Sequence, residues 1–219
     1  MNQLTLSGII ASEPIHSHST RTTVYSTFKL SVKRLSGVED LLDVIVPSAL
    51  YDESGVTPGS FVTLDGQLRS YNNKNAETNK LKINAWANIL IPGDGTYDNH
   101  VELLGSICKS PIYRQTPYGR EISDLMLSIP RINIGESHLR RFDYLPCIAW
   151  GSVARMCADL PARTMLRITG RFQSRQYIKL IDGIPYNRTA YEVSVSYAEP
   201  ISPDADASAT ESKATEKTV

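Results

Sequence analysis

The sequence predicts an all-β chain made of two tandem five-stranded Greek-key barrels, each with a short helix, followed by a disordered C-terminal tail. Three observations lead there. Residues 99–131 (NHVELLGSICKSPIYRQTPYGREISDLMLSIPR) repeat residues 2–34 (NQLTLSGIIASEPIHSHSTRTTVYSTFKLSVKR). Asn2, Gly8, Pro14 and Arg34 answer to Asn99, Gly105, Pro111 and Arg131 at one constant offset of 97 residues, with no gap. A fixed offset over that length marks a duplicated unit. Within each copy the apolar residues alternate over short stretches bounded by Gly, Pro and Asn, the pattern of half-buried strands. At 219 residues the chain has room for two domains of roughly 100 residues each, near the common domain size.

Residues 3–10 (QLTLSGII) alternate up to a bend at Gly8, while residues 12–23, rich in Ser, Thr and His, read as a loop. Val24, Phe28, Leu30 and Val32 share one parity in a second strand, and residues 41–46 form a third that stops at Pro47. Residues 48–57 suit a short helix or turn ended by Pro58-Gly59. Residues 60–69 carry Val62, Leu64 and Leu68 around Gly66, residues 72–79 form an Asn-rich hairpin tip, and residues 81–90 close the unit. Leu81, Ile83, Ala85, Ala87 and Ile89 fall on one side of that last strand, and Trp86 on the other. Five strands with a helix between the third and fourth is the plan of the OB-fold.

The second copy repeats the plan. Strands are expected at 101–107, 122–129, 143–150, 165–172 and 191–197, with a helix over 152–159 between Gly151 and Pro161. Leu166, Ile168, Gly170 and Phe172 repeat the pattern of Val62, Leu64, Gly66 and Leu68 at an offset of 104, so loops grew between the copies. The last strand alternates Tyr191, Val193, Val195 and Tyr197. The expected division is residues 1–91, a linker at 92–98, residues 99–199 and a disordered tail at 200–219. That tail has too few large apolar residues to fold alone.

Charge is unevenly spread. Residues 1–92 balance eight Lys and Arg against eight acids, whereas residues 99–199 carry thirteen against nine, eleven of the thirteen being Arg. Guanidinium is planar and weakly hydrated, which suits phosphate and base-plane contacts. Cys108, Cys147 and Cys157 lack CxxC spacing, so neither a disulfide framework nor a zinc knuckle is expected. No signal peptide, membrane span, cofactor loop or catalytic constellation is found; the expectation is a cytoplasmic, non-enzymatic protein without membrane contact. His16 and His18 form an H-x-H pair with no further ligand near in sequence, which favours a loop over a metal site.

The second copy resembles bacterial single-stranded-DNA-binding proteins. Residues 99–105 (NHVELLG) are similar to their opening N-x-V-x-L-x-G strand, and residues 111–119 (PIYRQTPYG) to their P-x-x-R-x-x-P-x-G loop. Residues 148–154 (IAWGSVA) resemble their aromatic-Gly-x-x-Ala step, and 170–177 (GRFQSRQY) and 191–193 (YEV) resemble their fourth and fifth strands. The first copy keeps the opening strand and FKLSVKR at 28–34, with a looser echo at 66–71 (GQLRSY). The resemblance implies nonspecific binding of single-stranded DNA, in replication, recombination or repair, near the nucleoid. With two barrels per chain it implies a homodimer presenting four. Family tails end in an acidic, phenylalanine-closed tip; this chain reads EKTV at 216–219, so recruitment of replication or repair proteins by that route is not expected.

Sequence-tolerant binding of a single strand needs aromatic faces for bases and cations for phosphates. The resemblance places stacking rings at Tyr144, Trp150 and Tyr177, with Tyr113, Tyr118 and Tyr186 on nearby loops; core packing is the competing explanation, and the better one for Phe172. Arg114, Arg120, Arg131, Arg171, Arg175, Lys179 and Arg188 are the candidate phosphate contacts of the second copy, about half of them expected to be solvated surface. The first copy offers Lys29, Lys33, Arg34, Arg69, Tyr71 and Lys74, and is expected to bind weakly or to serve assembly. Two alternatives stay open: a protein-interaction adaptor in replication or restart with little nucleic-acid binding, and an RNA-binding protein.

Overall fold

The computed structural model describes residues 1–73, 81–131, 141–181 and 183–202. Its element order is β1 (Asn2–Ile10), β2 (Ile15–Ser19), β3 (Val24–Lys33), β4 (Glu39–Pro47), α1 (Ser48–Ser54), β5 (Phe61–Asn72) and β6 (Leu81–Pro92). The second half repeats it as β7 (Asp98–Ile107), β8 (Ile112–Gln115), β9 (Glu121–Pro130), β10 (Phe142–Trp150), α2 (Gly151–Ala158), β11 (Met165–Ile181) and β12 (Ile184–Ile201). Residues 203–219, expected as a disordered tail, most of the 72–79 hairpin tip and Lys74 lie outside the described residues.

Pairing in the first half runs β3-β4-β6-β5-β1, and β1 closes back on β3 through Ile9↔Ser31 and Ile10↔Leu30. The second half runs β9-β10-β12-β11-β7 and closes through Ser106↔Ser128 and Ile107↔Leu127. In each, the third and fifth strands of the barrel are parallel and the other pairs antiparallel. Both halves are therefore OB-folds. Leu6, Leu30, Val44, Leu64 and Ala85 fill one barrel, and Leu103, Leu127, Leu145, Ile168 and Phe172 the other, all essentially buried. Gly66 and Gly170 sit where a Cβ would run into the backbone carbonyls of Trp86 and Ser194, which explains a glycine in mid-strand at both places.

Three expectations need correction. Residues 15–19, read as loop, form β2, an edge strand on β3; its side chains are exposed or half-buried, so apolar alternation was absent. Ile89 is exposed and Leu90 buried, and Tyr197 is likewise exposed, the reverse of strict alternation. The cause is a register shift: Asp65 faces Ile89 while Gly66 faces Ala87, and Thr169 faces Tyr197 while Gly170 faces Val195. One extra residue in each fifth strand, Asn88 or Ser196, moves everything beyond it to the other side of the sheet. Finally, β12 continues through Pro200 and Ile201, paired with Leu166 and Met165.

The two barrels are joined through their first strands. β1 and β7 pair antiparallel, and Leu4 faces Val101, its own counterpart at the 97-residue offset. Asn2↔Leu103 and Leu6↔Asn99 are then mirror pairs about a local pseudo-twofold axis. The side chains obey the same symmetry. Asn2 donates to the Leu68 carbonyl (2.7 Å) and accepts from its N–H (3.0 Å), as Asn99 does with Phe172 (2.7 and 2.8 Å).

Candidate nucleic-acid interface

Strand parity decides which rings reach the surface. On β10 the odd positions Leu145, Cys147 and Ala149 face the core, so Phe142, Tyr144 and Trp150 project outward, 39%, 46% and 38% exposed. Tyr144 and Trp150 are separated by about 20 Å along the strand, from a rise of about 3.3 Å per residue. Trp150 and Arg120 line one open concavity together with Gly119 and Gly151. Phe172 is fully buried.

β11 and β12 extend beyond the barrel as a long arm. Tyr177 is the direct partner of Arg188, Lys179 of Tyr186 and Arg175 of Ala190, so Arg175, Tyr177, Lys179, Tyr186 and Arg188 share one face. On it, rings and cations interleave: the Arg175 guanidinium lies 5.7 Å from the Tyr177 ring centroid, and that of Arg188 lies 5.5 Å from Tyr186. Tyr186 and Lys179 are exposed; Tyr177 and Arg188 are half-buried. Sequence reading put Tyr186 and Tyr113 on loops; both lie in strands, β12 and β8. Tyr118 projects almost wholly into solvent from the β8–β9 turn.

Several candidate cations already hold carboxylates. Arg114 forks onto Asp124 (2.9 and 3.3 Å), a bond that holds its pKa above the usual value. Lys33 sits 3.5 Å from Glu39 and 5.7 Å from the Tyr97 ring centroid, Arg175 lies 3.5 Å from Glu192, and Tyr113 donates its hydroxyl to Glu121 at 2.7 Å. Arg171 and Lys33 line a cavity of about 460 Å³ between the two barrels, with Tyr97.

Arg34 and Arg131, read from sequence as phosphate contacts, form the two halves of a symmetric clamp. Arg131 binds Asp143 through Nε (2.9 Å) and Nη2 (2.6 Å), and the same Nη2 donates to the Ser70 carbonyl of the first barrel (2.6 Å). Asp143 also accepts from the Ser70 N–H (2.6 Å). Reciprocally, Arg34 binds Asp40 (2.7 and 2.6 Å) and donates to the Ser174 carbonyl of the second barrel (3.0 Å), while Asp40 accepts from the Ser174 N–H (2.7 Å). Asp40 and Asp143 share the inward parity of their strands and are only 1% exposed. The hydrogen bonds that Arg34 donates to Asp40 raise its pKa. Both guanidinium forks are thus engaged between the barrels.

Sequence reasoning missed one cluster. His18 on β2 stacks on Tyr25 of β3 (centroids 4.7 Å, planes 10° apart), Trp86 tilts against Tyr25 at 4.9 Å, and the Arg69 guanidinium lies 5.6 Å from the Trp86 centroid. Burial lowers the pKa of Arg69. The outward parity of Trp86 was the available signal; the loop reading of residues 12–23 concealed its neighbours. Tyr71 is half exposed on the same outer side of β5 as Arg69. Among the described residues, no group of three or more His, Cys, Asp and Glu is gathered to hold a metal.

These features define a tandem OB-fold chain with an outward aromatic and arginine-rich second barrel. Residues 98–200, the second barrel, match the single-strand binding protein family. It is 31% identical over 80 residues to single-stranded DNA-binding protein 2 of Listeria innocua, covering 36% of this chain and 50% of that protein. It is equally similar, again over 80 residues, to single-stranded DNA-binding protein A of Bacillus subtilis, of which it covers 46%. The chain spans about half the length of the curated relatives it matches. Over nearly its whole length the fold matches the crystal structure of the wild-type single-stranded DNA binding protein from Thermus aquaticus. That match has a TM-score of 0.73 and 20% identity, and covers 92% of this chain and 93% of the other.

Proposed function

We propose that the chain binds single-stranded DNA without sequence preference, in the cytoplasm, serving DNA replication, recombination or repair as a binding protein and not as an enzyme. The observation that carries this reading is the interleaving of rings and cations on one outward surface. Trp150 and Tyr144 stand on β10, and Tyr177 and Tyr186 alternate with Arg175, Arg188 and Lys179 on the arm. Bases of any identity stack on such rings, each contributing on the order of 1–3 kcal/mol, while the cations follow the phosphates. Arg120, Arg171, Lys179 and Arg188 are assigned to phosphates. Arg114 and Lys33 would have to exchange Asp124 and Glu39 for phosphate, and Arg34 and Arg131 are assigned to joining the barrels.

The names of the family and of the curated relatives support the same ligand. The four-barrel homodimer is part of the proposal; the exposed Ile89, Ile91 and Tyr197 on the outer sheet side offer apolar surface for it. Replication or repair proteins are the proposed partners of the coated strand.

Anisotropy of a labelled oligo(dT) tests the reading. With four phosphate contacts, log K should fall with log salt at a slope of about −2.8, from about −0.7 per contact on single strands. A DNA duplex should compete poorly. Absence of binding at low salt, or duplex competing equally well, would refute it and favour the protein-interaction adaptor.

A further inference from the structure

The cavity of about 460 Å³ between the barrels is one of two cradles related by the local pseudo-twofold axis. Arg34, Asp40 and Asn99 line this one; their counterparts Arg131, Asp143 and Asn2 line the other, which encloses about 260 Å³. Around that shared frame the side chains diverged. Lys33 of the larger cradle answers to Pro130 of the smaller, Arg171 to Gln67 and Asp98 to Met1. One cradle thus carries three charged side chains at places where its mirror image has none.

Those charges are available to a ligand. Arg171 makes no hydrogen bond or ion pair among the described residues. Lys33 reaches Glu39 only at 3.5 Å, with both side chains about half exposed, a pair that solvent screens. Asp98 accepts the Asn99 N–H through one carboxylate oxygen (2.7 Å), and its other oxygen has no hydrogen-bond partner among the described residues. Behind them Arg34 and Asp40 neutralise each other within the clamp. Lys33 stands on β3 of the first barrel and Arg171 on β11 of the second, so the two cations flank the cavity from opposite barrels. Tyr97, held edge-on by Phe61 at 5.0 Å, and the exposed Leu35 add apolar lining.

We propose that this cradle binds a free ribonucleotide, of the class of a nucleoside diphosphate. Lys33 and Arg171 take the phosphate oxygens, Asp98 accepts from the ribose hydroxyls, and the base lies against Tyr97 and Leu35. Small-molecule sites favour domain interfaces, have volumes of about 300–1,000 Å³ and combine apolar lining with a few polar groups, as this cavity does. A nucleotide of a bound DNA strand would bring the same phosphate and base, but not the 2′-hydroxyl. Asp98 is the group that separates the two sources. The proposal goes beyond the DNA-binding function and meets it at Arg171, one of the four cations assigned there to the strand.

Isothermal titration of the full chain with ADP, in the absence of DNA, tests the site. One ADP per chain should bind. Arg171→Gln, which installs the residue of the mirror cradle, and Lys33→Gln should each weaken it at least about fivefold at unchanged thermal stability. The deoxy analogue dADP should bind at least about fivefold more weakly than ADP, and Asp98→Asn should erase that preference. Adenosine and inorganic pyrophosphate, each offering part of the chemistry, should both bind more weakly than ADP. With oligo(dT), saturating ADP should flatten the salt slope from about −2.8 to about −2.1, one phosphate contact fewer.

A chain that binds oligo(dT) but not ADP would overturn the cradle and leave the proposed function standing; one that binds ADP but not oligo(dT) would do the reverse. Pyrophosphate binding as tightly as ADP would reduce the cradle to an inorganic-anion site and overturn the assignment of a nucleotide. Equal affinity for dADP and ADP would overturn the role of Asp98 and, with it, the free ribonucleotide.

Discussion

Removing the Asp143 carboxylate is the most informative perturbation of the scaffold. Asp143 is 1% exposed and accepts three hydrogen bonds, two from Arg131 and one from the Ser70 N–H across the barrel junction. Asp143→Ala strands a guanidinium whose side chain is only 20% exposed, together with the Ser70 amide of the other barrel. Breaking a buried pair by deleting one partner costs about 3–5 kcal/mol. Against a typical domain stability of about 5–15 kcal/mol this is a large fraction. Asp124→Ala is the matched control: Arg114–Asp124 has a similar 2.9 Å contact, but its side chains are 48% and 43% exposed. Solvent screening limits such a pair to about 1 kcal/mol. Urea unfolding of the two variants measures both, and Arg131→Met with Asp143→Leu should recover part of the loss. Equal effects of Asp143→Ala and Asp124→Ala, both within about 1 kcal/mol, would refute the assignment of a buried clamp.

Other consequences can be measured on the same protein. Cys147 and Cys157 are buried, and burial pushes their thiols up, Cys157 to about 11, whereas Cys108 is exposed; one thiol per folded chain should react with a disulfide reagent, and three after unfolding. Because the folded thiols stay protonated where unfolded ones ionise, their contribution is complete below about pH 8.5 and is lost as pH rises through the folded values. Urea titrations should record a decline of up to about 1.4 kcal/mol per pH unit for each thiol between about pH 8.5 and 11. Gly170→Ala forces a methyl against the Ser194 carbonyl, a backbone atom that cannot swing aside, and should cost about 1–3 kcal/mol in stability; no measurable loss would contradict the close approach.

The fold was readable because the OB plan repeats a simple alternation twice, at one gapless offset over residues 2–34 and 99–131. Where alternation breaks, the reading broke with it. The extra residues Asn88 and Ser196 reverse the sides of Ile89 and Tyr197, and nothing local in the sequence announces a bulge. β2 was missed because an edge strand with no buried side carries no apolar period. The outward rings of β10 were flagged by the family resemblance alone; the parity that turns Tyr144 and Trp150 outward came with the structure. The clamp made by Arg34 and Arg131 was not legible because their partners, Ser174 and Ser70, lie on the opposite barrel. The duplication itself held the clue: Arg34, Asp40 and Ser70 recur as Arg131, Asp143 and Ser174, and a triplet kept in both copies suits a contact made about the pseudo-twofold axis.

Binding by this chain depends on whether the outward rings of the second barrel take bases. The affinity of Trp150→Ala with Tyr177→Ala for oligo(dT), set against that of the unaltered protein at one salt concentration, measures this most directly. With on the order of 1–3 kcal/mol per stacked base, the double variant should bind at least about tenfold more weakly while retaining its thermal stability. Unchanged affinity would mean that the strand, if held at all, runs elsewhere.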